Sequence, residues 1–333
     1  MKEIGGYLGL EEFHGREYYE DLHRLNLGRT ALVCLLDALN CQKLYVPYLL
    51  CDSMTDMCRS HGISMEYYFQ DETLTPVLEE APAEGEWLLL VSYYGQLRDA
   101  KILEMKKRWK NIIVDHTHSF FQRPLHGVPT LYSCRKFFGL PDGAYLSADI
   151  RLPRDMEQDI SYSRMSHILG RYEETASSHY QELHQAAASY YTSVPKAMSK
   201  LTRNLLRAID YEDARKRRNE NYETLEALLG DGNPISPHCK SRLAQGHPPK
   251  PFCQPDGPLA YPFYFPEGIE LRKALAREKI YVPTYWNNVI QNVPKDTVEY
   301  ECAANILALP CDHRYGKEEM AFIAESVRRL ADL

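Results

Sequence analysis

The chain has 333 residues, 44% of them hydrophobic, enough for a large core in one big domain with a smaller one or in two similar domains. Its formal charge of −7 argues against a nucleic-acid surface, and no stretch is long and apolar enough for a membrane span. Nine scattered cysteines form no C-x-x-C pair, so no zinc or other metal site is expected. The opening Met1-Lys2-Glu3-Ile4-Gly5-Gly6-Tyr7 lacks the apolar run of a secretory signal, and a reducing cytoplasm is the expected setting. Leu27-Gly28-Arg29-Thr30 opens a helix in which Ala31, Leu32, Leu35, Leu36 and Leu39 recur at helical spacing. Lys43 to Pro47 reads as a strand and Ser53 to His61 as a helix. Trp87 to Tyr93 reads as a buried strand, Asp99 to Trp109 as an amphipathic helix, and Asn111 to Val114 as a strand rich in β-branched residues. Thr130 to Ser133 and Ala144 to Ala148 are further short strands. Strands alternating with helices predict a mostly parallel sheet with helices on both faces.

After about residue 152 the pattern changes. Asp155 to Arg218 is polar and rich in helix formers, and Tyr211 to Leu229 continues as an amphipathic helix until Gly230-Asp231-Gly232-Asn233-Pro234 breaks it. Residues 235 to 260 read as loop. Ala260 to Phe265 and Ile280 to Val282 read as strands around a helix from Glu270 to Glu278, and Lys317 to Ala331 closes the chain as a helix. The predicted organisation is a large α/β domain over residues 1–210 and a small α+β domain over 211–333.

Chemistry concentrates at strand ends. Asp115 follows the apolar triplet Ile112-Ile113-Val114, and Lys136 follows the strand ending at Ser133. A carboxylate and an amine at consecutive strand ends are what pyridoxal phosphate chemistry needs. The first keeps the pyridine nitrogen protonated and the second forms the imine. An aspartate there equally caps the next helix, and most lysines are simply solvated. The aromatic pair Phe137-Phe138 gives Lys136 an apolar setting that lowers an amine's pKa. His118 is placed to face the cofactor's phenolic oxygen or to serve as a core histidine. Gly28, Arg29 and Thr30 offer a helix N-terminus to a phosphate, and Ser133 offers a hydroxyl. Arg135 could join them or lie in solvent. Tyr7, Tyr285-Trp286 and His313-Arg314-Tyr315 are further candidates for a substrate pocket or for ordinary packing.

The order of these segments resembles the DegT/StrS nucleotide-sugar aminotransferases, which are fold-type-I pyridoxal phosphate enzymes. The resemblance rests on Tyr94-Gly95-Gln96-Leu97-Arg98-Asp99, Val114-Asp115-His116-Thr117-His118 and Thr130 to Lys136 with Asp142-Gly143-Ala144. Arg218-Asn219-Glu220-Asn221-Tyr222 and Leu307-Ala308-Leu309-Pro310 extend it toward the C-terminus. It implies a seven-stranded, mostly parallel sheet sandwiched by helices, with a smaller α+β C-terminal domain. It implies pyridoxal 5'-phosphate on Lys136, Asp115 at the ring nitrogen, and Gly28, Arg29, Thr30, Cys51, His118 and Ser133 around the cofactor. It also implies a keto-sugar substrate, nucleotide-linked, with glutamate or glutamine as amino donor, and a homodimer. The chain departs from the pattern in several places. Arg29 replaces a small hydroxyl residue, and Cys51 stands where the family stacks an aromatic ring, with Tyr48 as a substitute. Ser133 is closer to Lys136 than usual. No Asn-Tyr-Arg stretch, which in the family reaches the neighbouring subunit's phosphate, precedes Met198-Ser199. These departures leave two alternatives: a dehydratase-like pyridoxal phosphate enzyme and a non-catalytic protein that keeps the fold.

Overall fold

A computed structural model describes residues 4–153, 155–240 and 248–332. Strand β1 (His23–Leu25) leads into helix α1 (Gly28–Ala38) and strand β2 (Lys43–Pro47); α2 (Asp52–Ser60) returns to β3 (Ser64–Gln70). Then come β4 (Pro76–Val77), β5 (Glu86–Val91), α3 (Asp99–Trp109), β6 (Ile112–Asp115), β7 (Thr130–Ser133) and β8 (Ala144–Ser147). These strands form one sheet in the order β1-β8-β7-β6-β5-β2-β3-β4. The centre, from β3 through β2, β5 and β6 to β7, is parallel, while β8 and β1 at one edge and β4 at the other are antiparallel.

The sheet thus has eight strands, one more than the resemblance implied. After β3 the chain doubles back on an Asx turn, with Asp71 Oδ1 accepting from the N–H groups of Thr73 and Thr75 at 2.8 and 3.0 Å. That turn delivers Pro76 and Val77 to the edge as an extra, two-residue strand.

Central parallel strands bury both faces, which is why they read as unbroken apolar runs. On one face Leu89, Ile113, Leu131 and Leu146 pack with Leu32, Leu35 and Leu36 of α1. On the other, Leu88, Leu90, Ile112 and Val114 pack with Ile102, Met105 and Trp109 of α3. The alternation along β6 leaves Asp115 at the carboxyl end of the strand, where the apolar triplet stops.

The rest of the chain forms α4 (Ser166–Glu173), α5 (Tyr180–Ser189), α6 (Lys200–Leu206) and α7 (Tyr211–Leu229). The Asp210 side chain caps α7 by accepting from the Asp213 N–H at 3.0 Å. A second sheet pairs β9 (Tyr261–Tyr264) antiparallel with a strand at Ile306–Leu309; between them lie α8 (Gly268–Arg277), α9 (Asn287–Asn292) and α10 (Val298–Asn305). The Ile306–Leu309 strand is β10, and α11 (Lys317–Leu330) follows it. Ile280–Val282, read from sequence as a strand, pairs with no strand among the described residues. Ile280 and Val282 instead bury their side chains beside Leu271, Leu307 and Met320, so their apolar character serves packing and not a ladder. Of the loop read over 235 to 260, residues 241–247 lie outside the described residues, and the remainder carries no strand or helix.

Between the two sheets lies an aromatic cluster of Tyr19, Tyr93, Tyr94, Phe120, Tyr132, Phe137, Phe138, Tyr145, Tyr264 and Trp286. The residues singled out in the sequence border it.

Candidate active site

Asp115 is 4% exposed, and the Thr117 N–H donates to its Oδ1 at 2.8 Å. Burial raises its pKa; the bonds from Thr117 and the charge of Lys136 pull the other way. A buried carboxylate in that position is stabilised by a cationic partner. The aspartate caps the turn after β6 through the bond from the Thr117 N–H.

That turn continues to His118, also buried. The Tyr94 N–H points at His118 Nδ1 at 3.4 Å, and the rings of Tyr94, Tyr285 and Trp286 surround it at 5.2 to 5.6 Å. Burial first, and the charge of Lys136 second, push its pKa well below the ordinary histidine value. It is neutral, and with Nδ1 accepting, its remaining proton sits on Nε2, which is left as a donor.

Lys136 leaves β7 on a single turn of 3-10 helix, Cys134–Lys136, anchored by the Cys134 N–H on Gly143 O at 3.1 Å. Gly143 adopts φ +117, and a Cβ there would stand 2.9 Å from Thr202 Cγ2. Lys136 Nζ lies 4.6 Å from the centroid of the Tyr285 ring. Protein crowds the amine on most sides, yet the side chain meets water, so it stands at the surface and not in the closed core. Desolvation lowers its pKa, the Cys51 thiol opposes that, and the charge of Arg135 adds to it.

Backbone strain gathers at the same place. Tyr94 and Trp286, neither of them glycine, adopt φ of +49 and +53, and their rings meet edge-on at 6.1 Å beside His118. Each such residue costs on the order of 1 kcal/mol and persists only where packing over-determines it. Gly95 at φ +77 completes the turn; a Cβ there would stand 2.6 Å from Pro255 Cβ.

The N-terminus of α1 lies beside the lysine loop, with the Cβ position of Gly28 3.9 Å from Ser133 Cβ. The Thr30 hydroxyl, expected to face a phosphate, is turned inward. It donates to Asn26 Oδ1 at 2.6 Å and accepts from the Leu27 N–H at 3.3 Å, so it caps its own helix. Arg29 instead reaches over the Tyr191 ring. Cys51 is exposed at the start of α2, close enough to Lys136 and Arg29 to influence both. Tyr48 stacks on Phe69 at 4.3 Å and is not free to replace a ring at Cys51. Tyr7 is 97% exposed. His313 packs on Phe138 at 5.7 Å, while Arg314 pairs with Asp312.

Two features escaped the sequence reading. Tyr190 lies under Arg135, the guanidinium carbon 3.7 Å from the ring centroid. Arg218 of α7 is 1% exposed and donates to Phe137 O at 2.8 Å and to Pro258 O at 2.9 Å, so it fixes the backbone next to Lys136. Its signal was present: an arginine on the buried face of α7 with Ala214, Tyr222 and Leu225.

No family model matches the chain, and no curated protein matches it by sequence. Solved structures do match. A DegT DnrJ EryC1 StrS aminotransferase from Brucella abortus superposes with TM-score 0.59 at 14% identity, over 94% of this chain and 87% of that one. DesV of S. venezuelae, solved in complex with a ketimine intermediate, gives 0.61 at 16% identity over 93% and 85%. Spr1654 from Streptococcus pneumoniae in its PLP form gives 0.61 at 14% over 93% and 86%. The chain has the fold-type-I fold of pyridoxal phosphate aminotransferases.

The residues present fit that cofactor. A buried carboxylate is available to a ring N–H, a neutral histidine keeps an N–H donor, and a water-exposed lysine is close enough for its charge to influence both.

Proposed function

We propose that the chain is a pyridoxal phosphate-dependent aminotransferase that acts on a keto-sugar, nucleotide-linked, with glutamate or glutamine as amino donor. The observation that carries this is that Lys136 lies close enough to Asp115 and to His118 for its charge to influence both, on this fold. The solved neighbours that resemble it include DesI in the presence of its TDP-sugar product, which supports a sugar substrate.

In this reading pyridoxal phosphate supplies an electron sink for the bond-breaking step when bound. Asp115 holds a proton at the ring nitrogen and balances its charge. His118 Nε2–H would be available to the phenolic oxygen, and its neutrality keeps a second positive charge away from Lys136. The Lys136 amine would serve as the base that takes a proton from the donor's α-carbon. Tyr285 under the ammonium restrains its swing. Arg218 holds the backbone at Phe137 so that the amine returns to the same position after each half-reaction.

The working unit is proposed to be a homodimer. A row of exposed large apolar side chains, among them Ile160, Tyr162, Leu169 and Tyr172, favours coverage by a second copy.

The test is a half-reaction. Protein loaded with pyridoxal phosphate is mixed with glutamate, glutamine or alanine, and the release of the keto acid is timed. Wild type should release it from at least one donor, and Lys136→Ala should be slower by about a thousandfold or more. Equal rates in the two proteins would remove the reading.

A further inference from the structure

Three arginines stand over two adjacent tyrosines, and two of them, Arg29 and Arg135, lie close enough to Lys136 to influence it. The guanidinium carbons of Arg135 and Arg164 stand 3.7 and 5.6 Å from the Tyr190 ring centroid, and that of Arg29 stands 5.5 Å from the Tyr191 centroid. The Tyr190 hydroxyl donates to Pro141 O at 2.7 Å, which fixes the ring as a platform. Arg29 and Arg135 are both partly withdrawn from water, and Arg29 weakens Arg135's hold on its proton, as both do for Lys136.

Every carboxylate that influences them is engaged elsewhere. Asp56 pairs with Arg59 at 2.6 Å, and Asp159 pairs with Arg164 at 2.6 Å. Asp142 accepts the Ser199 N–H at 2.9 Å, the Ser199 hydroxyl at 2.7 Å and the Thr202 hydroxyl. Among the described residues, Arg29 and Arg135 therefore have no carboxylate at ion-pair distance. Half-buried cations that repel one another and lack a counter-charge are stabilised by an anion. Two guanidiniums and the first turn of α1, which contains no acidic residue, suit a tetrahedral dianion, since guanidinium offers paired donors to phosphate oxygens.

We propose that Arg29 and Arg135 are the phosphate-holding side chains of this protein and grip the phosphate monoester of pyridoxal phosphate. The proposal rests on the reading of Lys136 as the cofactor lysine. It accounts for three departures together. Arginine replaces the small hydroxyl at position 29, Thr30 turns away, and no Asn-Tyr-Arg stretch is needed because both grips come from the same chain as the lysine. A nucleotide-sugar diphosphate shares this phosphate chemistry and is the competing source.

The experiment compares pyridoxamine phosphate with pyridoxamine, whose binding needs no bond to lysine, by fluorescence titration of the full chain. Wild type should prefer the phosphorylated form by about a hundredfold or more, and R29S and R135Q should each reduce that preference about tenfold. Pyridoxamine affinity, circular dichroism and melting temperature should stay close to wild type, which excludes misfolding as the cause. R29K should restore part of the preference. K136A should keep it, so loss of the lysine reading and loss of the phosphate reading give different results. UDP is titrated in parallel. Variants that weaken UDP while leaving the pyridoxamine phosphate preference intact would assign the arginines to a substrate diphosphate and overturn the proposal. No preference in wild type, or an unchanged preference in both variants, would overturn it as well.

Discussion

Two packing regions of the molecule close in different ways. Under α1 the packing is almost wholly aliphatic, with Leu32, Leu35, Leu36, Leu89, Ile113 and Leu146 fully buried. Shape alone holds that side. The region between the two sheets is built from tyrosines and phenylalanines, and its hydroxyls tie down loops. Tyr19 donates to Phe120 O at 2.6 Å, Tyr93 to Leu49 O at 2.7 Å and Tyr132 to Gln122 O at 2.8 Å. Tyr145 donates to Glu17 Oε2 at 2.9 Å. An aliphatic core positions strands; it does not fix the loops at strand ends, where Asp115, His118 and Lys136 stand. Rings with a polar handle do both, because one side chain fills volume and satisfies a buried carbonyl.

Four substitutions or conditions separate the two regions. Asp115→Asn keeps the bond to the Thr117 N–H through the amide oxygen but removes the charge. The half-reaction rate should fall by about a hundredfold or more while the denaturation midpoint barely moves. A rate within a few-fold of wild type would reduce Asp115 to a turn cap. Leu35→Ala should do the reverse. It should cost about 2–5 kcal/mol in urea unfolding and leave cofactor affinity unchanged. Tyr93→Phe should cost about 1–3 kcal/mol through the unpaired Leu49 carbonyl, and should also loosen the Tyr94 turn. A rise in KM for the keto-sugar with little change in unfolding would place Tyr93 in the substrate pocket instead of the frame.

The last and smallest effect is in pH. The Lys136 amine attacks only when neutral, and its pKa lies below the ordinary 10.5. The rate at which free cofactor forms its lysine adduct should therefore rise with pH and level off at a midpoint below 10.5. His118, whose pKa is displaced well downward, should add no inflection between pH 6 and its ordinary value of 6.5. A midpoint at or above 10.5 would mean the amine is fully solvated.

Much of the parallel sheet could be read directly, because strands buried on both faces are written as apolar runs ending at a polar residue. Ile112–Val114 before Asp115 and Thr130–Ser133 before Lys136 are of this kind. Helix α7 was legible from its stripe and the Gly230 break. Strand β3 was not, because Ser64–Gln70 alternates between exposed and buried positions and carries no unbroken run. Ile280–Val282 misled for the opposite reason: β-branched residues that pack without pairing look like a strand. At the site, Asp115, His118 and Lys136 could be named from their neighbours. The inward turn of Thr30 depends on Asn26, and the partnership of Arg135 with Tyr190 joins residues far apart in the chain. No local pattern encodes either.

The central claim is tested most directly by locating the covalent cofactor bond. The purified protein is incubated with pyridoxal phosphate, reduced with borohydride, digested, and its labelled peptides are identified by mass spectrometry. The account predicts one stoichiometric label, on Lys136, accompanied by a visible band that K136A lacks. Label spread over surface lysines, or a band that survives in K136A, would contradict it.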